Sequence, residues 1–465
     1  MSEFCFLEMT ELAMLIAARK VSPVEVARDQ LERIDRLDRE LHSFVTVTEA
    51  EAMAEATRAE MEIVSERRKG VLHGVPLGVK DLFWTKGVAT TAGTTIYEKF
   101  VPDRDATSVR RLREAGCTIL GKLQMTEGAY SDHHPSTTPP VNPWDRDYWT
   151  GISSSGPGVA VAAGLCYGAL ASDTGGSIRW PSAANGLTGI KPTWGRVSRD
   201  GTFELAASLD HVGTMARSAE DAALILDAIA GPDERDPTAM PIHWCRMAGE
   251  PRDLTGMRIG FDPVWNSRDV DGEVASALAA TMQVLGELGA ELVEIVVPDV
   301  DDAIADWPAN CAVEAAATHA ATFPSRRAEY GHVLAEVLER GHALSGVEYQ
   351  RILLRRMDLR GRFATLFANI ELLLCPVQPF SPLSLDAIGT MGERPDLIAR
   401  LQRYTCPFDM TGGPTITFPV GAAANGMPIA AQLASGHGGE NFMISAAKAF
   451  QRATAWHRRH PPLAV

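Results

Sequence analysis

The chain has 465 residues, of which 45% are hydrophobic and 22% charged, the ordinary balance of a folded globular protein. Its formal net charge is −15 and no basic patch stands out, so nucleic acid is not an expected partner. No apolar run approaches the ~20 residues that span a bilayer, and the first residues lack a signal-peptide pattern, so no membrane is expected either. The seven cysteines are scattered without a CxxC pair, which favours reduced thiols in the cytoplasm.

The first 68 residues are predicted to be mostly helical. Residues 8–19 have the pattern of an amphipathic helix. A second helix is predicted to begin after Ser22, with Pro23 in its first position and Glu25 closing a capping box. A strand over 43–48 and an alanine-rich helix over 49–68 follow. We expect this part to pack on a core of residues 69–465, so that residues 1–465 form a single domain.

A short buried strand is predicted over residues 77–79, with Lys80 at its end. A lysine there loses hydration, which disfavours the ammonium and lowers its pKa. Neutral lysine is a base, so Lys80 is a catalytic candidate. The simpler interpretation is a surface lysine that follows a strand, which is the usual place for this residue.

The chain between 90 and 150 alternates loops with short elements. We predict a loop over 90–95, a helix capped by Thr107 and ending near Gly116, and a strand over 117–120. The proline-rich stretch 127–150 cannot be regular and is typical of a functional loop. His133 and His134 lie in it, but no acidic cluster completes a ligand set, so no metal is expected.

Residues 151–185 hold two clusters of small residues on either side of an apolar run. The first cluster contains three serines in a row, and the second ends in Ser177 just before a predicted helix. A glycine-rich turn that enters a helix exposes backbone N–H groups, which a developing oxyanion requires. Ordinary loop formation explains such residues too. The clusters are Ser153-Ser154-Ser155-Gly156 and Asp173-Thr174-Gly175-Gly176-Ser177.

The second half of the chain alternates helices with short apolar strands, which indicates an α/β architecture. Arginines at positions 351, 355, 356, 360 and 362 are interpreted as a solvated helix face. The predicted helices are 218–230, 271–288, three within 303–368, and 439–454. The predicted strands are 257–261, 291–297, 371–375, 411–419 and 427–435. Residues 232–252 are predicted to be a surface excursion, and 376–404 a loop with one short helix.

Together, Lys80, the Ser153-Ser154 pair and the DTGGSIR segment at 173–179 resemble the amidase signature family. Ser153 and Ser177 are 24 residues apart, which matches the two catalytic serines of that family. The resemblance continues through KPTWGRVS at 191–198, SLDHVGTMARSAED at 208–221 and PFDMTGGPTITFPVG at 407–421. It therefore covers most of the chain.

The resemblance implies a single α/β/α sandwich with a large mixed sheet flanked by helices, and hydrolysis of a carboxylic amide without a cofactor. Esters or carbamates would react by the same acyl chemistry. Ser177 would be the nucleophile, Ser153 the bridging serine on a cis peptide, and Lys80 the base and acid. The expected partner is a small amide or related acyl compound, with the chain a monomer or homodimer. The implied oxyanion donors are the N–H groups of Thr174, Gly175, Gly176 and Ser177. Ser154 would help to hold Lys80, and Tyr130 would line the substrate pocket.

Two features depart from the family pattern. The family usually has Gly-Gly before and after the serine pair, whereas Ile152 and Ser155 stand here. Three consecutive serines also leave the bridging residue open by one position, and the 24-residue spacing favours Ser153 over Ser154.

Three other functions compete with this interpretation. A Ser-His-Asp hydrolase could use Asp210 and His211, although no G-x-S-x-G motif surrounds the candidate serines. The glutaminase component of a tRNA-dependent amidotransferase, its A-type chain, shares the same motifs. A binding protein without catalysis is disfavoured because Lys80, Ser153 and Ser177 are all present.

Overall fold

The computed structural model describes residues 4–242 and 253–463, and in these residues 15 α-helices surround one 11-stranded sheet. The strands are β1 Phe44–Val47, β2 Pro76–Lys80, β3 Thr118–Leu123, β4 Gly168–Asp173, β5 Thr188–Lys191, β6 His211–Ala216, β7 Arg258–Phe261, β8 Glu291–Glu294, β9 Leu372–Pro376, β10 Thr415–Ala422 and β11 Pro428–Ala434. The helices are α1 Met9–Ala17, α2 Pro23–Leu41, α3 Glu49–Val64, α4 Thr107–Glu114, α5 Ser155–Ala162, α6 Arg179–Asn185, α7 Ala219–Ile229, α8 Gly272–Glu287, α9 Asp301–Thr318, α10 His332–Ala343, α11 Gly346–Phe367, α12 Leu385–Gly389, α13 Pro395–Gln402, α14 Cys406–Thr411 and α15 Glu440–Ala453.

The sheet is mixed, with the strand order β1-β3-β2-β4-β6-β5-β10-β11-β9-β7-β8. Strands β3, β2 and β4 are parallel neighbours, and so are β9, β7 and β8. The pairs between them are antiparallel. Lys80 at the end of β2 and Asp173 at the end of β4 therefore lie at the same edge of the sheet.

Helices cover both faces of this sheet. Successive side chains of a strand point to opposite faces. In β4, Leu170 belongs to an apolar cluster that includes residues of α1 and α7, whereas Ala169 and Ala171 belong to a second cluster with residues of α2 and α5. The two clusters thus lie on opposite sides of the strand, and the fold is the expected α/β/α sandwich.

The N-terminal part follows the sequence prediction closely. Ser22 caps α2 with Pro23 in its first turn, and the predicted capping box with Glu25 is confirmed. The strand predicted over 43–48 is β1, which pairs antiparallel with β3 and so joins the N-terminal part to the main sheet. The described helices include none long and apolar enough to cross a membrane.

Several predictions at the element level differ from the structure. Thr107 is the first residue of α4 rather than its cap, and its hydroxyl donates to Asp200. The strand predicted over 291–297 ends at Glu294. The stretch 376–404 holds two short helices, α12 and α13, rather than one. Of the predicted surface excursion 232–252, residues 243–252 lie outside the described residues.

The predicted arginine face of α11 is wrong at one position. Arg356 is half-buried, and its guanidinium donates to the backbone carbonyls of Met410 and Ser208. These bonds join α11 to α14 and to the loop before β6. The other four arginines of the group are exposed, as a solvated face requires.

Candidate active site

Lys80 is the last residue of β2 and is completely buried. Its Nζ lies 2.7 Å from Ser153 Oγ and 2.9 Å from Ser172 Oγ. Burial lowers the pKa of Lys80 to about 7, against the opposing charges of Asp173 and Asp210. A substantial fraction of this lysine is therefore neutral near pH 7, as a base must be.

The structure distinguishes the three consecutive serines. Ser153 follows a cis peptide bond from Ile152, and its side chain contacts Lys80. Ser154 donates to the backbone carbonyl of Ser172 at 3.3 Å rather than to Lys80. Ser155 begins α5, and its Oγ lies 3.1 Å from His133 Nε2. Among the described contacts, Ser153 is thus the serine of the three that bonds to the lysine, and Ser154 bonds to Ser172, the other hydroxyl partner of Lys80.

Ser177 lies in the turn between β4 and α6 and keeps 7% of its surface exposed. The two glycines before it are required by their neighbours. A Cβ at Gly175 would lie 2.5 Å from the Trp307 ring, and one at Gly176 would lie 2.5 Å from the Trp180 ring. Gly176 also has φ +140°, which disfavours other residues. The turn is therefore held between two indoles.

The N–H groups of the turn are not equivalent. Gly176 N donates to Asp173 Oδ1 at 2.7 Å, so this predicted oxyanion donor is already engaged. The described part of the chain offers no acceptor to the N–H of Thr174, Gly175 or Ser177. Three of the four predicted oxyanion donors are therefore without a partner within the described residues.

A buried ion network lies behind the turn. Asp173 accepts two bonds from the Arg179 guanidinium and further bonds from the backbone N–H of Ile178 and Arg179. Arg179 also contacts the Asp409 carboxylate and donates to Thr405 O at 2.8 Å. Burial raises the pKa of Asp173, but the charge and hydrogen bonds of Arg179, the Lys191 charge and the N–H of Ile178 together outweigh it and hold the pKa below its usual range. The carboxylate therefore stays ionised and fixes the start of α6.

Asp210 and His211 do not form a triad with Ser177. The Asp210 carboxylate accepts from the Thr174 hydroxyl at 2.6 Å and from the backbone N–H of Leu205 and Ala206. His211 uses Nδ1 on the carbonyl of Leu209 at 2.6 Å. In the described residues neither side chain bonds to a serine, which argues against the Ser-His-Asp alternative.

The long loop before the serine cluster supplies an aromatic neighbour of the turn. The Tyr130 ring is half-buried and stacks on Trp307 at a centroid distance of 6.4 Å. His133 bonds to Ser155 and His134 to Ser136. Over residues 4–242 and 253–463, no three His, Cys, Asp or Glu side chains converge as metal ligands.

Sequence reasoning did not single out three residues of this site. Ser172 precedes Asp173 on β4 and reaches Lys80 because β2 and β4 are neighbours in the sheet. Trp307 donates from its indole Nε1 to the carbonyl of Thr174 at 2.8 Å, although 133 residues separate them. Asp409 is 230 residues from Arg179. Of these three residues, only Asp409 had a signal in the sequence, which is its position inside the PFDMTGG segment. The pattern of the sequence did not indicate Ser172 or Trp307.

Known proteins resemble this chain over nearly its whole length. The amidase family model matches residues 25–443. AmiD of Mycobacterium bovis, a protein named as an amidase, is 44% identical over 98% of this chain and 96% of its own length. The A-type chain of the glutamyl-tRNA(Gln) amidotransferase of Geobacter sp. is 34% identical over 98% and 99% of the two chains. The solved peptide amidase of Stenotrophomonas maltophilia has a TM-score of 0.83 at 27% identity, over 98% of each chain.

The family match and the similarity to known amidases define the class of enzyme, the hydrolases of amide C–N bonds. The chain belongs to the amidase family.

Proposed function

We propose that the chain hydrolyses a carboxylic amide through an acyl-enzyme on Ser177. The observation that carries this proposal is the contact between buried Lys80 and Ser153, 2.7 Å apart, at the edge of the sheet where the Ser177 turn also lies. Neutral Lys80 takes the proton of Ser177 through Ser153 as the Ser177 oxygen bonds to the carbonyl carbon. The lysine then returns a proton through Ser153 to the leaving amine as the C–N bond breaks.

Water completes the proposed cycle. It attacks the acyl carbon and gives a proton to Lys80 through Ser153, and the lysine returns that proton to the Ser177 oxygen as the acyl–oxygen bond breaks and the acid is released. The N–H groups of Gly175 and Ser177 would hold the oxyanion in both halves of the reaction, each contributing about 3 kcal/mol to the transition state. Aryl esters and carbamates are proposed as alternative substrates because they pass through the same acyl-enzyme.

Removal of the nucleophile tests this mechanism. Ser177→Ala is expected to abolish hydrolysis of a panel of p-nitroanilides, aryl carbamates and p-nitrophenyl esters, together with covalent labelling by a fluorophosphonate. Ser155→Ala is the matched control, since it removes a nearby buried hydroxyl that does not touch Lys80. Labelling of another serine in Ser177→Ala would contradict the assignment.

A second candidate function is the glutaminase step of a tRNA-dependent amidotransferase. The full-length similarity to the A-type chain of that enzyme supports it. Such a component would release ammonia from glutamine and need partner chains for its complete reaction. Hydrolysis of other amides by the purified chain alone, with no release of ammonia from glutamine, would favour the independent amidase. The reverse result would favour the amidotransferase component.

We also propose that the protein works in the cytoplasm. The six cysteines in the described residues are buried free thiols. Reduced cysteines fit a reducing compartment.

A further inference from the structure

The turn before Ser177 contains three peptide planes, which join residues 174 to 175, 175 to 176 and 176 to 177. Different partners form hydrogen bonds to each plane. The carbonyl of Thr174 accepts from the Trp307 indole at 2.8 Å. The carbonyl of Gly176 accepts from the backbone N–H of Trp180 at 2.8 Å. The plane between these two is held at both edges, because Cys406 Sγ donates to the Gly175 carbonyl at 3.6 Å and Gly176 N donates to Asp173.

A hydrogen bond to a carbonyl also fixes the direction of the N–H group on the same peptide plane. In a planar trans peptide the C=O and the next N–H point to opposite sides. A donor on the Thr174 carbonyl therefore fixes the Gly175 N–H on the other edge of the same plane. A donor on the Gly176 carbonyl fixes the Ser177 N–H in the same way. Of the N–H groups on these three planes, those of Gly175 and Ser177 lack an acceptor in the described chain.

Trp307 contacts the turn directly, through both its indole N–H and its ring. Its side chain comes from α9, far from the turn in sequence, and only 8% of the residue is exposed. Its ring occupies the place where a Cβ of residue 175 would be. The hydrogen bond also polarises the peptide, which strengthens the Gly175 N–H as a donor.

We propose that Trp307 is a positioning residue whose indole N–H fixes the Thr174–Gly175 peptide plane and aims the Gly175 N–H at the developing oxyanion. This inference rests on the proposed function, since the plane matters only if Ser177 reacts. The benefit belongs to the transition state and not to substrate binding, because the oxygen gains its charge only as the reaction proceeds.

Trp180 provides a matched comparison within the same turn. Its ring covers Gly176 as the Trp307 ring covers Gly175, and only 6% of it is exposed. Its indole Nε1, however, has no hydrogen-bond partner among the described residues. A change of either tryptophan to phenylalanine thus removes similar ring volume next to the turn. Only the change at 307 also removes a hydrogen bond to it.

The test compares Trp307→Phe with Trp180→Phe on one amide that the wild type hydrolyses. Trp307→Phe is expected to lower kcat about 10-fold, part of the 10²–10³ lost when a whole oxyanion donor is removed, with KM within about twofold. It should slow phosphonylation of Ser177 by a fluorophosphonate to the same extent, because the phosphonyl oxygen uses the same donors. Trp180→Phe is expected to lower kcat by no more than about twofold, that is, at least fivefold less than Trp307→Phe does.

Trp307→Phe also leaves a cavity, and a cavity could lower kcat by disturbing the fold. A variant that removes the N–H without leaving a cavity separates these two causes. Benzothienylalanine at position 307 keeps the ring shape and replaces the N–H with sulfur, and it should reproduce the loss of kcat. Equal losses in Trp307→Phe and Trp180→Phe, an effect confined to KM, or full kcat with benzothienylalanine would each overturn the positioning role. Labelling that survives Ser177→Ala would instead contradict the proposed function, and so the two failures are distinguishable.

Discussion

Lys80 is a buried amine at the edge of a sheet, and its chemistry depends on losing a proton. Since burial lowers its pKa to about 7, the neutral base forms as pH rises through that value. We expect kcat/KM to rise about tenfold per pH unit below pH 7 and to level off above it. Lys80→Arg should be inactive because a guanidinium keeps its proton. The measurement is a pH–rate profile from pH 5 to 10 with wild type and variant.

A control is needed for that profile, because a second buried group titrates in the same range. Burial raises the pKa of Asp210 to about 7, and its carboxyl contacts Thr174 in the turn. Asp210→Asn should keep the alkaline rise if Lys80 causes it. Near wild-type turnover by Lys80→Arg would contradict the mechanism even if Ser177 is the nucleophile.

Ser172 and Ser154 offer a paired test of what holds the lysine. Ser172 Oγ lies 2.9 Å from Lys80 Nζ, whereas among the described residues Ser154 Oγ bonds to the Ser172 carbonyl and not to Lys80. Loss of a hydrogen bond to a charged or reactive group costs about 1.5–3 kcal/mol, which corresponds to roughly 10- to 150-fold in rate. We expect Ser172→Ala to lower kcat in this range and Ser154→Ala to lower it several-fold less. A larger effect at Ser154 than at Ser172 would contradict this order and show that Ser154 contributes more to holding Lys80 than its contact with the Ser172 carbonyl indicates.

At the level of elements, the start of α5 packs closely against the backbone that follows β3 and precedes β1. A Cβ at Gly156 would lie 2.5 Å from both the N and the O of Gln124 and 2.6 Å from Ser43 O, and backbone atoms cannot turn aside. Gly156→Ala is therefore expected to destabilise the fold by at least about 1–3 kcal/mol and to lower Tm measurably. Gly346→Ala at the start of α11 is the control, because no heavy atom lies within 4 Å of its Cβ. Equal Tm values for both variants would refute the close approach.

Local sequence patterns predicted the helices and strands that carry the site. They failed where an element is very short or where a side chain bonds to a residue distant in the sequence. The strand predicted over 77–79 is β2, and the helix predicted after Ser177 is α6, because apolar runs and glycine turns are local signals. The short helices α12 and α13 lie in a stretch predicted to hold one, since helices of five and eight residues leave little periodicity to read. Thr107 has the residue type of a cap, but its hydroxyl bonds to distant Asp200.

The motif residues of the candidate site were predictable from the sequence, whereas the residues that contact them from other elements were not. Lys80, Ser153 and Ser177 follow from motif and spacing, and the contact of Lys80 with Ser153 agrees with that prediction. The contact of Ser172 with Lys80 depends on which strands are neighbours, and the motif does not contain that information. Trp307 depends on how α9 packs, which no local pattern encodes. The assigned catalytic roles stay predictions until the variants are measured.

On the scale of the whole molecule, we expect activity to be independent of metal ions. No convergent set of three ligating side chains occurs in the residues described, and the proposed steps use only lysine, serine and backbone N–H groups. Turnover should survive exhaustive dialysis against EDTA, measured with the same amide before and after treatment. Loss of turnover that added zinc restores would favour a metal-dependent hydrolase instead.

The strand order also has a consequence for the timing of synthesis. Strands β1 to β6 form one half of the sheet and β7 to β11 the other, and Lys80, Ser153 and Ser177 all belong to the first half. Asp409, which holds Arg179 behind the turn, belongs to the second. A ribosome adds ~5–20 residues per second, so roughly 230 residues and about 10–50 seconds separate Ser177 from Asp409. During that interval the Ser177 turn lacks the support of Trp307 or Asp409, so we expect a nascent chain that ends before residue 409 not to hydrolyse amides.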